Sequence, residues 1–167
     1  RIQEITEAAD IGLGSFYTYF TGKDDFVQAI VTDSLEDLAV ALAQGESDSD
    51  PAVVTAAATQ RAVRLAFDDP EFARLLVNLD KSDEVFSAAM HPRARAVVVR
   101  GIREGRFDAP DVDVAVTYIV SGALSLIRQV LAGKHQQGVE LAQAELALRT
   151  LGLSVEESRK IAKSIGR

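Results

Sequence analysis

Cysteine and tryptophan are absent from the 167 residues, methionine occurs once and histidine twice. Without cysteine there are no disulfides, no thiolate metal sites and no thiol nucleophile, which suits a cytosolic protein. His91 and His135 are far apart in the chain, and neither belongs to a Glu-x-x-His pair of the kind that builds di-iron bundles. There is also no phosphate-binding glycine loop and no nucleophile elbow, so no enzyme class finds its machinery here and no cofactor or metal is implied. Proline and glycine are sparse, at 4 and 11 residues, which excludes a linker-like or disordered chain. No stretch alternates with period two over a strand's length.

Long hydrophobic runs are limited to one, Val114–Gly133. It has the length of a membrane span, but it carries Thr117, Ser121, Ser125, Arg128 and Gln129, as a helix buried between protein neighbours does. The opening residues do not read as a secretory signal. A helical pattern is already running at Arg1, so an N-terminal piece is expected to precede it.

What is present is apolar, acidic and helical. Hydrophobic residues make up 47% of the chain, enough for a core in one domain of this length. The formal charge is −7 and the pI about 4.8, which speaks against a non-specific nucleic-acid coat but leaves room for a small local reading element. The periodicity predicts an all-α chain of nine helices, over about residues 2–9, 13–20, 23–44, 51–67, 70–79, 83–105, 112–132, 139–151 and 155–165. Asp50-Pro51 and Asp69-Pro70 are start signals, a side-chain cap followed by proline in the first turn. Thr21 with Asp24, and Ser154 with Glu157, resemble capping boxes, and Ser82 is a candidate cap. A bend or split is expected near Pro92. The polar stretch GESDSDP, from Gly45, reads as a loop.

Only ten residues are aromatic, yet five of them fall between Phe16 and Phe26. Four of the five lie on the second of two short helices separated by the break Asp10-Ile11-Gly12, where Asp10 or Gly12 can supply the positive φ of a tight turn. Two short helices about such a turn suggest a helix-turn-helix, whose second helix enters the major groove. Phe16, Phe20 and Phe26 have the spacing of a small inward core. Tyr17 places a phenol, a phosphate donor, on the helix surface. Lys23 stands at the next helix start, where free N–H groups and an ammonium attract phosphate together.

The stretch EITEAADIGLGSFYTYFTGKDDFVQAIV resembles the DNA-binding signature of the tetracycline-repressor (TetR) family of bacterial transcriptional regulators. Ile5-Thr6, Ala9-Asp10, Ile11-Gly12, Leu13, Gly14-Ser15, the run Phe16 to Phe20, and Lys23 fall in register with it. Asp10 replaces a turn glycine, Gly12 a capping serine, and Leu13 a position that is often polar. The resemblance implies a DNA-binding region over residues 1–31, a partial helix-turn-helix, and a helical ligand-binding and dimerisation domain over 32–167. It implies DNA contacts by Gly12, Leu13, Ser15, Tyr17, Thr18, Tyr19 and Lys23. It also implies a ligand-responsive repressor that binds a palindromic double-stranded operator as a homodimer and leaves it when a small effector binds.

The two long helices near the C-terminus supply the expected dimer surface. Val116, Ile119, Ala123 and Ile127, with Gly122 beside them, face Leu141 and Leu148 of the partner helix in that reading. Phe67, Phe72, Leu76, Leu79, Phe86, Met90 and Tyr118 are the candidate walls of an apolar effector pocket, which points to a hydrophobic or amphipathic ligand. Asn78, His91, Arg64 and Arg128 are candidates to orient a polar end. HPRARAVVVRGIREGR carries five arginines and one glutamate. It reads first as a solvated face, with a carboxylate or phosphate site as the functional alternative. Residues 1–31 hold two basic and five acidic side chains, a net of −3. That keeps a second reading open: a ligand-binding or scaffolding dimer whose DNA-binding motif has decayed.

Overall fold

The computed structural model describes residues 1–43, 50–79 and 81–165, and the loop expected at 45–49 lies outside them. Among these residues the chain is helical throughout: α1 (Ile2–Ala8), α2 (Leu13–Tyr19), α3 (Lys23–Ala43), α4 (Pro51–Asp68), α5 (Pro70–Val77), α6 (Ser82–Arg103), α7 (Val112–Leu131), α8 (Val139–Thr150) and α9 (Val155–Ser164). α6 continues through Pro92, so the chain is not split there. α3 runs without interruption past residues 31 and 32, so the two expected regions share one helix.

The starts follow local chemistry. The Asp50 carboxylate accepts the Ala52 N–H at 2.8 Å, and that of Asp69 accepts the Phe72 N–H at 3.0 Å. Ser154 Oγ accepts the Glu157 N–H at 3.2 Å. Two caps differ from expectation. α3 begins one residue after Gly22, so it is Asp25, not Asp24, that reaches back to the Thr21 N–H at 2.8 Å. α6 is preceded by Lys81 in the left-handed region at φ 61°, and Ser82 sits inside the helix, its Oγ accepting a bond from Arg128 at 2.7 Å.

The core lies among α3 to α9. α4 packs on α7, α8 and α6, and α7 packs on α6 as well. α7 is long and apolar enough to cross a membrane by length and composition, but Val116, Leu124 and Ile127 on it are almost wholly buried in this core. α1 and α2 pack on each other at one end and reach the remainder through α3.

One polar clasp ties three elements together. The Arg106 guanidinium, after α6, meets Asp50 at the start of α4 at 2.9 Å and Glu157 at the start of α9 at 2.8 Å. Burial pushes the Asp50 carboxyl up, but bonds from Arg106 and the Ala52 N–H and the charges of Arg106 and Arg100 outweigh it, holding the group below its ordinary value. Both carboxylates are more than a third exposed, so screening reduces the clasp's worth. Arg106→Ala is expected to cost roughly 1–2 kcal/mol, a fall in Tm of about 3–6 °C. A carboxyl depressed in the folded state contributes above its unfolded value of about 4, and loses that contribution as pH falls through the folded value. The Tm gap between wild type and Arg106→Ala should therefore narrow as pH drops below about 4, and a gap constant with pH would refute the ionic account.

Candidate DNA-reading surface and effector cavity

The turn between α1 and α2 is closed by backbone geometry. Asp10 adopts φ 54°, the Ile11 N–H donates to the Thr6 carbonyl at 3.0 Å, and the Asp10 N–H donates to that of Glu7 at 3.2 Å. This is the six-to-one and five-to-two bonding of a Schellman motif, with Asp in the usual place of glycine. Gly12 is extended, at φ −70°, and precedes α2 with no side-chain cap. Of the two candidates for the positive-φ position, Asp10 is the one that takes it.

Phe16 is 1% exposed and is the centre of a ring cluster. Its centroid lies 5.3 Å from Phe20 and 5.4 Å from Phe26, and those two are 5.0 Å apart. This holds α2 against the start of α3. The rest of α2 is open to solvent: Gly12, Leu13, Ser15, Tyr17, Thr18 and Tyr19 are exposed, as is Lys23 at the start of α3. Tyr17 meets Phe16 edge-on at 5.4 Å while remaining half-exposed. The Thr18 hydroxyl donates to the Gly14 carbonyl at 3.0 Å, leaving its lone pairs outward. All seven residues expected at DNA are exposed, on or beside α2 and at the start of α3.

A cavity of about 470 Å³ opens between α3, α4, α6 and α7. Much of its wall is alanine and valine: Ala58 and Ala62 of α4, Ala94 and Val97 of α6, Ala123 of α7 and Ala39 of α3. Phe86 and Met90 line it. The polar contributions come from Thr55 and Thr59 of α4 and from Arg93 and Arg100 of α6, with no acidic side chain in the lining among the described residues.

Residues 50–164 match the family described as Tetracyclin repressor-like, C-terminal domain. The chain belongs to the tetracycline-repressor family. Its fold is that of RolR, whose ligand-free crystal structure it matches at 31% identity and a TM-score of 0.84, over 97% of this chain and 85% of that one. RolR in complex with resorcinol matches at the same identity and TM-score, over 97% and 82%. No curated protein matches. The likeness covers both ends of this TetR-family regulator: the helix-turn-helix and the helices behind it.

The TetR-type body places the other expected residues less simply. Phe67, Phe72 and Leu79 are half-buried against the main core and Leu76 is wholly buried in it, and none of the four lines the cavity. Tyr118 is 71% exposed on the outer side of α7. Asn78, His91, Arg64 and Arg128 are also outside the lining. Arg64 pairs with Asp68 at 3.5 Å and Arg128 with Asp83 at 3.1 Å.

The residues expected at a dimer face divide too. Val116, Ile119, Ala123, Ile127 and Leu148 are buried within the protomer, and the first three line the cavity. The reason is that α7 has neighbours on several sides, so its widest apolar stripe is used internally. Gly122 and Leu141 are half-buried. The outer face of α7 and α8 carries Val114, Tyr118 and Leu146, each more than half exposed, around a shallow groove of Ser121, Gly122 and Ser125. A Cβ on Gly122 would stand 3.0 Å from the Gln143 amide nitrogen, so that side chain would have to give by a few tenths of an ångström.

Proposed function

We propose that this regulator is a ligand-responsive repressor that binds a palindromic operator as a homodimer and is released by a small hydrophobic or amphipathic effector. The observation that carries this reading is the course of α3. Lys23, at the DNA-reading surface, begins it, and Ala39, near its far end, lines the cavity. The sixteen-residue separation is roughly 24 Å of continuous helix. An effector that fills the cavity and favours a different setting of α3 changes the spacing of two reading helices in a dimer, provided its affinity differs between the two settings. In this reading residues 1–31 read DNA, and 32–167 sense the ligand and self-associate. The dimer contact is the outer α7–α8 face with Val114, Tyr118 and Leu146, and RolR's complex with resorcinol supports a small-molecule effector.

The test is binding of the full-length protein to DNA upstream of its own gene, across salt concentrations and with candidate effectors. Counterion release makes specific binding fall steeply with salt. Undetectable or salt-insensitive binding would favour a ligand-binding dimer that no longer reads DNA. Tyr17→Phe and Lys23→Ala are each expected to weaken binding to all sequences alike, by about three- to tenfold. Lys23→Ala should also reduce the salt slope by about one, whereas Thr18→Ala should change sequence preference.

A further inference from the structure

We propose that the effector is an organic anion, a carboxylate on an aromatic or medium-length apolar body, and that Arg93 is its charge partner. The proposal rests on the reading of the cavity as the effector site. It starts from a charge imbalance. The chain has 25 acidic and 18 basic residues, yet the cavity wall has two arginines and no acid among the described residues. Several arginines of the body are paired: Arg95 with Asp113 at 2.8 Å, Arg106 with Asp50 and Glu157, Arg128 with Asp83 and Arg159 with Glu145. Arg61, Arg74, Arg103 and Arg149 are exposed and lie outside the cavity lining. Arg93 is half-buried at the cavity and has no hydrogen bond or ion pair among the described residues. Arg100 adds positive charge to the same wall, and its field is felt as far as Asp50.

The apolar remainder of the wall decides what the rest of the ligand is. A carboxylate entering a mainly alanine and valine cavity loses its hydration and is favoured only where a cation replaces it. A guanidinium does so with two parallel N–H donors matched to the two carboxylate oxygens. The same wall disfavours an ammonium ligand by like charge and gains nothing extra from a neutral alcohol. A volume of about 470 Å³ suits a small organic body, in the lower part of the roughly 300–1,000 Å³ span of such sites.

The experiment measures dissociation constants of the full-length protein for matched acids and neutral counterparts by calorimetry: 2,4-dihydroxybenzoate against resorcinol, 1-naphthoate against 1-naphthol, octanoate against octanol. At least one acid is expected to bind about tenfold or more tighter than its counterpart, with a preference that shrinks as salt rises. Arg93→Ala should remove most of that preference and Arg93→Lys should retain part of it. The neutral ligands report on the same cavity in the same variants, so a loss confined to the acids is electrostatic and not a failure to fold. Neutral ligands that bind as well as the acids, and are displaced by Ala58→Phe, would overturn the anion assignment and leave the cavity as the effector site. Acids that bind equally in wild type and Arg93→Ala would overturn the role of Arg93. Binding of either class that Ala58→Phe does not weaken would overturn the cavity reading itself.

Discussion

Phe16→Ala is expected to abolish DNA binding by unfolding α1 and α2, with the larger body left folded. Phe16 is 1% exposed, and its ring touches those of Tyr17, Phe20 and Phe26. Removing a buried phenylalanine costs about 3–5 kcal/mol. Two seven-residue helices have little else to hold them, because isolated helices of that length are not stable in water. The core of α3 to α9 takes no part in this ring cluster beyond Phe26 at the start of α3. Hydrogen exchange read by mass spectrometry should show the amides of residues 2–20 losing protection in the variant while those of α4, α7 and α8 keep it. Phe16→Leu should retain part of both protection and DNA binding. Loss of protection throughout the chain would show that the reading element and the body fold as one unit.

Gly101→Val should produce a large fall in global stability, because Gly101 is buried at the end of α6. Gly101 lies in the last turn of α6, and its carbonyl accepts the N–H groups of Arg106 at 2.7 Å and Phe107 at 3.1 Å. These bonds fold the chain back so that the Phe107 ring, 5% exposed, lies directly over the Gly101 Cα. A Cβ there would overlap the Cδ2–Cε2 edge of that ring. The turn cannot easily retreat. Asp108 N–H donates to the Leu151 carbonyl at 2.9 Å, and a Cβ on Gly152, itself at φ 92°, would come within 2.9 Å of the Asp108 carbonyl oxygen. Overpacking of this kind costs about 1–3 kcal/mol, and the β-branch places valine at the upper end. Thermal unfolding should show a fall in Tm of roughly 6–12 °C. Combining Gly101→Val with Phe107→Ala should recover part of the loss, because the ring is what the new side chain meets. Additive losses would place the strain elsewhere.

The helices were legible because their ends are written in local chemistry. Asp50-Pro51, Asp69-Pro70 and Ser154 act within three residues of where they stand, so the sequence pattern and the fold agree there. The aromatic cluster was legible for the same reason, since Phe16 and Phe20 are one turn apart. The cavity was legible only at Phe86 and Met90, and the cause is physical. Large side chains such as Phe67, Phe72 and Leu76 fill space, and they ended in the packed core. A void forms where side chains are small, and its walls include Ala39, Ala58, Ala62, Ala94, Ala96 and Ala123. The available signal was the run of alanines on α4 and α6, which periodicity alone reads as ordinary helix. The sides of α7 were equally hidden, because which apolar residue looks inward depends on how many neighbours the helix has.

α7 is a single wall with two sides. Val116, Ile119 and Ala123 border the cavity, and Tyr118, Ser121 and Ser125 on the same turns face outward. A rigid helix cannot shift on one side alone. In the proposed dimer, an effector that shifts α7 would link ligand occupancy to subunit association, each changing the other's free energy by the same amount. Effector affinity would then depend on protein concentration, and an occupied subunit would alter the affinity of its neighbour.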